Sequence, residues 1–310
     1  MLSRVADSLY WMSRYFERAD HCCRVLEANY NVLLNPSKPS REQRWLRIIQ
    51  SLGLEVDHKL GDSQATTQLI VQPQNRSAIV SCITSARENA SQVREQISSE
   101  MWERLNQLYH QVNSTPSSPE EDLQAVRLLS TFRDGAYKFY GVTDSTMNHG
   151  QGWYFIQFGR YMERACGLSR LLDAHFSASS GADDLDWVSL LTSCSAFEAY
   201  RKVHTADLAP DRVAEFLLLN PEFPYTARYA ADQMSIALEK IGELTASRRN
   251  ALSDRIVGKL QASLTYVQID EIMERNLHAY LNAVLQQCQD LHSAVHEVFI
   301  DYPIESAFEA

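Results

Sequence analysis

The chain has 310 residues, 45% of them hydrophobic, with 29 Lys and Arg against 39 Asp and Glu and a formal net charge of −10. With no basic tract in that balance, a nucleic-acid partner is excluded, and no apolar run approaches the ~20 residues of a membrane span. Eleven Gly and nine Pro are few for this length, while Leu, Ala, Glu, Arg and Gln fill long segments, so an all-α protein with a large core is expected.

In chain order, a first helix is predicted over 2–34, stopped by Asn35-Pro36-Ser37-Lys38-Pro39-Ser40, whose two prolines cannot continue the hydrogen-bond ladder. A shorter helix carries Trp45, Ile48, Ile49 and Leu52, and a short apolar segment at 68–71 ends at Pro73. Ile79, Ile83, Val93, Ile97, Met101, Leu105 and Leu108 keep helical spacing and predict one long helix over 76–112, followed by the loop NSTPSSP at 113–119. Further helices are predicted over 123–140 and 151–176, with SASSGADD (177–184) separating the latter from a helix headed by Trp187. A short element at 212–219 precedes a helix over 226–244 that Pro224 opens as its first residue. Helices over 252–266 and 269–300 close the pattern at Asp301-Tyr302-Pro303.

The six cysteines (22, 23, 82, 166, 194 and 288) sit inside helical patterns without zinc-type spacing and read as reduced core residues. The segment MLSRVADSLYW enters an amphipathic pattern without a signal-peptide core, so a cytoplasmic location is expected.

One helical segment occurs twice. RYFERADHCCRVLEANY (14–30) returns as RYMERACGLSRLLDAHF (160–176) at an offset of 146, with 8 of 17 positions identical, where chance gives about one. Trp45-Leu46-Arg47-Ile48-Ile49 resembles Trp187-Val188-Ser189-Leu190-Leu191, and QLIVQP (68–73) resembles FLLLNP (216–221). A tandem-duplicated helical bundle with pseudo-symmetric halves follows, its repeats at 1–145 and 146–310, either fused into one domain or packed as two.

The repeat keeps charge as well as apolar spacing. Arg14, Glu17, His21 and Arg24 lie along one helix face, matched by Arg160, Glu163, Gly167 and Arg170. Arg18 and Arg164 fall on other, apolar stripes, where a bare guanidinium costs several kcal/mol. Two readings stay open. In one, Arg18 and Arg164 join acidic groups on neighbouring helices in buried bridges that fix the register of the bundle. In the other, Glu17 and Glu163 are catalytic candidates in a pocket lined by Arg14, Arg24, Arg160 and Arg170, the arginines binding a carboxylate or phosphate and the Glu handling an amine or a proton. Replacing Glu17 by the near-isosteric Gln is then expected to leave the fold intact.

Arg87, Arg94 and Met101 recur every seven residues, so Arg87 and Arg94 are expected either to share a face that reaches Glu17 or Glu163, or to belong to a solvated Glu/Arg surface. Glu17 with His21, Glu274 with His278, and His292 with His296 are i,i+4 pairs, none with an evident third ligand, so no metal is expected. Without a Gly-rich phosphate loop, a nucleophile elbow or a zincin motif, no cofactor is expected, and any ATP chemistry falls to a partner.

LSRVADSLYWMSRYFERA at the N-terminus, the second RYMERA, SARENASQVREQISSEMWERLN (85–106) and RVAEFLLLNPEFP (212–224) are similar to the bacterial alpha-E family, over nearly the whole chain. The Glu-Arg dipeptides of that family match Glu17-Arg18 and Glu163-Arg164; Asp20-His21-Cys22-Cys23 and Ser91 depart from its usual pattern. The resemblance implies an all-helical cytoplasmic protein encoded beside, or fused to, a circularly permuted ATP-grasp ligase and a transglutaminase-like protease. It therefore implies a helical accessory or scaffold protein in synthesis of a peptide or peptide tag, with an enzyme of the same pathway, acting through a Glu/Arg pocket on a peptide or amino acid, as the alternative.

Overall fold

The computed structural model describes residues 1–33, 41–54, 70, 75, 77–114, 122–177, 183–205, 207–245 and 251–299, which form thirteen α-helices and, among the described residues, no strand. They are α1 (Ser3–Leu33), α2 (Arg41–Ser51), α3 (Ile79–Gln92), α4 (Ser99–Asn113), α5 (Asp122–Thr146), α6 (Gln151–Ser177) and α7 (Asp184–Ser193). They continue with α8 (Phe197–His204), α9 (Pro210–Leu219), α10 (Ala227–Thr245), α11 (Ala251–Thr265), α12 (Ile269–Arg275) and α13 (Leu277–Phe299).

The two Glu-Arg helices, α1 and α6, lie side by side at the centre. Tyr10 stacks on Phe158 at 5.8 Å between centroids, Ser13 faces Gly159, and the His21 ring lies against Gly167. Facing positions advance together along both helices, so α1 and α6 run parallel. Their closest approach depends on Gly159: a Cβ there would collide with Ser13 Oγ and stand 2.6 Å from the Tyr10 carbonyl oxygen.

Other helices wrap this pair. α3 and α5 pack on α1, and α10 and α13 pack on α6, whereas α2 lies mainly against α6 and α7 mainly against α1. Trp45 on α2 and Trp187 on α7 are both buried, and a buried ion pair, Arg47 Nη1 to Asp186 Oδ1 at 2.9 Å, joins the two helices. Asp183 and Asp186 also form a reciprocal capping box at the start of α7. A single cluster of buried apolar side chains runs from Val5 to Phe299. Its aromatic part includes Phe16 against Phe139 at 4.2 Å and Phe16 against Phe132 at 6.3 Å, each fully buried ring contributing about 2–3 kcal/mol.

The expected helix over 76–112 is two helices. α3 stops at Gln92, Val93 takes φ −130° and ψ 32°, Arg94–Gln96 form a 3₁₀ turn, and Ser98 caps α4 by accepting a hydrogen bond from Met101 N at 3.1 Å. Val93 and Ile97 are both buried, so the apolar spacing runs on through a break in the backbone. The expected helix over 269–300 breaks likewise at Asn276, whose φ of 153° ends α12 and whose Oδ1 accepts from Ala279 N to open α13. Pro224 does not open α10. Thr226 does so, its Oγ1 accepting from Tyr229 N at 3.2 Å, while the Pro224 carbonyl serves the site below. α8, unanticipated in the sequence, buries Tyr200 completely. The apolar segment at 68–71, apart from buried Ile70, and most of the loops at 35–40, 113–119 and 177–184 lie outside the described residues. No described helix is long and apolar enough to cross a membrane.

Candidate functional site: a reciprocal Glu-Arg core

Parallel packing of α1 on α6 brings each Glu-Arg dipeptide to the other. Arg164 Nε donates to Glu17 Oε1 at 2.6 Å and its Nη2 to Oε2 at 3.0 Å. In the reverse sense, Arg18 Nε donates to Glu163 Oε1 at 2.6 Å and Nη2 to Oε2 at 3.1 Å. Both are fork-on-fork pairs, the geometry in which a guanidinium satisfies a carboxylate best. A second arginine joins each: Arg14 Nη2 lies 2.7 Å from Glu163 Oε2, and Arg160 Nε lies 3.6 Å from Glu17 Oε2.

The two pairs differ in enclosure. Glu17 is fully buried and Arg164 is 2% exposed, whereas the Arg18 side chain retains 29% of its exposure. Around Glu17, the Tyr140 hydroxyl donates to Oε2 at 2.5 Å and the Arg160 guanidinium lies 3.9 Å over the Tyr140 ring. Arg164 donates to the Pro224 carbonyl at 3.0 Å and lies 3.8 Å over the Tyr225 ring. The Tyr225 hydroxyl donates to Asp20 Oδ2 at 2.6 Å, Arg24 Nε donates to the same atom at 2.9 Å, and Arg24 Nη1 bonds Ser195 Oγ. Around Glu163, Arg14 Nη1 donates to the Tyr10 hydroxyl at 3.0 Å, which lies 2.8 Å from His292 Nδ1.

Electrostatics follow from this pairing. Burial alone would raise both carboxyl pKa values, but Arg164, Arg160 and the Tyr140 hydrogen bond outweigh it at Glu17, holding that group below the ordinary range. At Glu163 burial is likewise overcome by Arg14 and Arg18, which bring the carboxyl down to about 2. Burial pushes the Tyr140 and Tyr225 hydroxyls well up, so both remain hydrogen-bond donors.

A pH dependence follows. Burial lowers His21 to about 4, His175 to about 3 and His292 to about 4, so the unfolded chain takes up protons below about pH 6.5 that the folded chain refuses. Stability is then complete above pH 6.5 and falls as pH drops toward 4. The lowered Glu163 carboxyl adds a second window, from about 4.5 down to about 2, worth about 3 kcal/mol when fully lost. Urea unfolding at a series of pH values checks this; a flat stability between pH 6.5 and 4 contradicts the first window.

Of the sequence candidates, the structure brings Arg14, Glu17, Arg18, Arg160, Glu163 and Arg164 into one cluster, each arginine serving the Glu of the other helix. Arg24 serves Asp20 instead. Arg87 and Arg94 reach neither Glu: Arg87 Nε donates to Asn106 Oδ1 at 2.7 Å and its guanidinium lies 4.5 Å over Tyr109, while Arg94 lies 4.5 Å over Trp102. The break at Val93 is the reason, since it takes the two off a common helix face and directs both to α4. Tyr140, Asp20 and Tyr225 were missed. Asp20 was legible from its i,i+4 spacing to Arg24; the two tyrosines come from α5 and the turn before α10, where no local pattern marks them.

His278 Nδ1 lies 2.6 Å from Asp173 Oδ1, and the His292 and His296 rings pack 4.2 Å apart. Among the described residues no group of three or more His, Cys, Asp or Glu is placed to hold a metal ion. All six cysteines are buried and free of disulfides. At the Glu163 edge of the cluster opens a pocket of about 30 Å³, lined by Arg18, His21, Ser51, Ser77, Glu163 and Arg170 among others.

Two parallel central helices crosslinked by exchanged Glu-Arg forks define an all-helical protein organised around its Glu-Arg motif. The chain belongs to the Alpha-E family, described as a predicted alpha-helical domain with a conserved ER motif, which it matches over residues 1–300. It is similar to uncharacterized protein Rv2567 of Mycobacterium tuberculosis strain H37Rv and to uncharacterized protein Mb2597 of Mycobacterium bovis, 22% identical to each over 319 residues, covering 95% of this chain and 36% of theirs. The chain thus spans little more than a third of the length of these relatives. No solved structure matches it.

Proposed function

We propose that the protein is a helical scaffold, a tandem duplication of a unit spanning 1–145 and 146–310 whose copies form pseudo-symmetric halves, and that it serves a cytoplasmic ATP-grasp amide ligase and a transglutaminase-like protease in making a peptide or peptide tag. Support for the duplication comes from the offset of 146 recurring in space: Arg14 and Arg18 serve Glu163, as Arg160 and Arg164 serve Glu17. The surrounding helices correspond in the same way, α3 and α5 on α1 as α10 and α13 on α6, with α2 and α7 crossing to the opposite central helix.

The scaffold reading rests on one observation: both Glu-Arg carboxylates are buried, consumed by guanidinium forks and held ionised. A general base at neutral pH needs a carboxyl raised toward 7 and open to its substrate; Glu17 has neither property. The ligase and the protease enter from the family resemblance alone. Reconstitution with the neighbouring ligase and transglutaminase-like protein, following ATP consumption and product mass, tests the reading. A scaffold makes product formation depend on this chain, and a folded Glu163→Gln variant supports it fully. Equal product without the chain refutes the scaffold; product that needs the chain and is lost with folded Glu163→Gln supports an enzyme instead.

A further inference from the structure

Among the described residues, the repeat leaves one cation without its carboxylate. In the first copy Arg24 is met one turn earlier by Asp20, at 2.9 Å. At the aligned positions of the second copy Arg170 is preceded by Cys166, which is buried and interacts with Cys288. Arg170 makes no hydrogen bond or ion pair among the described residues. Its side chain instead lies on Gly53, where a Cβ would stand 3.0 Å from Arg170 Cδ and where the Gly53 φ is +68°. The positive φ favours a glycine there, and the missing Cβ leaves room for the arginine above it.

Arg170 lines the pocket of about 30 Å³ beside Glu163. Into the same space faces His21, which is neutral at pH 7 and whose buried Nε2 has no hydrogen-bond partner among the described residues. Arg18 adds Nη1, which its fork to Glu163 leaves unused. Among the described residues, the guanidiniums of Arg14, Arg18 and Arg170 meet one carboxylate around this corner, that of Glu163, so their positive charge exceeds the negative charge there. A buried ring nitrogen without a partner is costly, and an oxyanion meets it when Nε2 carries the proton, while the partly exposed Arg170 guanidinium beside it supplies the matching charge.

We propose that this pocket is a carboxylate-binding site, in which Arg170 holds the carboxylate of a ligand as Arg24 holds that of Asp20, with His21 Nε2 and Arg18 Nη1 as further donors. The volume admits a single carboxylate head, so the ligand is a small carboxylic acid or the carboxylate end of a longer molecule whose remainder projects outward. The site goes beyond the scaffold reading and does not depend on it.

Thermal melts and calorimetric titration with sodium acetate, against sodium chloride at equal ionic strength and with inorganic phosphate as a third arm, test the assignment. Wild-type protein is expected to show a saturable response to acetate over chloride. Arg170→Gln weakens it at least tenfold, while Arg94→Gln, outside the pocket, leaves it unchanged. Arg170→Lys, which keeps the charge but loses the planar fork, gives a several-fold loss and serves if the Gln variant does not fold. Absence of a saturable acetate response, or an undiminished response in both Arg170 variants, overturns the site. A phosphate response at least tenfold stronger than that of acetate overturns the carboxylate class.

Discussion

Arg164→Ala is expected to destabilise the protein by about 3–5 kcal/mol, because it strands a fully buried, ionised Glu17 that retains only Arg160 at 3.6 Å and one tyrosine hydroxyl. The same truncation at Arg18 is expected to cost far less, about 1–2 kcal/mol, although the two residues are equivalent in the repeat. Arg18 is 29% exposed, and Glu163 keeps the close contact to Arg14 at 2.7 Å after Arg18 is removed. Urea denaturation of both variants reads the difference directly. Equal losses contradict the enclosure described for Glu17, and an unchanged Arg164→Ala midpoint contradicts the buried fork itself.

Glu17→Gln is expected to cost nearly as much as Arg164→Ala, about 3 kcal/mol, even though the side chains are almost the same size. The amide keeps one acceptor oxygen, so one arm of the Arg164 fork and the Tyr140 hydroxyl compete for it, and the amide NH₂ is turned toward donors. Arg164 is then a buried cation without a counter-charge. Thermal melts settle the point: a Glu17→Gln variant that melts with the wild type shows the site to be solvated or plastic. Replacement at Glu17 reads as harmless from the sequence only because isosteric shape is visible there and burial on every side is not.

Much of the architecture was legible in residue type and spacing. Few breakers, 3.6-residue periodicity and the recurrence of RYFERA as RYMERA carry the helices and the two Glu-Arg segments, and the burial of Phe16, Ala19, Cys23 and Leu26 agrees with their shared face. What a helix face cannot carry is the identity of its partner. Arg18 was legible as a guanidinium in need of a carboxylate, but that the carboxylate is Glu163 depends on α1 and α6 running parallel and in register, a property of the whole bundle. The expectation that Arg87 and Arg94 reach Glu17 or Glu163 fails for a related reason, while that of a solvated surface stays open. Buried Val93 and Ile97 preserve the apolar rhythm across a turn, so the rhythm is silent about the backbone beneath it. Asn276 hides the break between α12 and α13 in the same way, since Ile272 and Leu277 on either side are both buried.

The central claim is that Glu17 and Arg164 act as one buried unit linking the two copies of the motif. A double-mutant cycle with Glu17→Leu, Arg164→Met and the pair together measures this most directly. Each single substitution leaves one buried charge bare, whereas the double replaces both charges with apolar volume, so the double variant is expected to recover most of the stability lost by either single, with a coupling energy of at least about 2 kcal/mol. Losses that simply add, leaving the double variant less stable than both singles, would contradict the account.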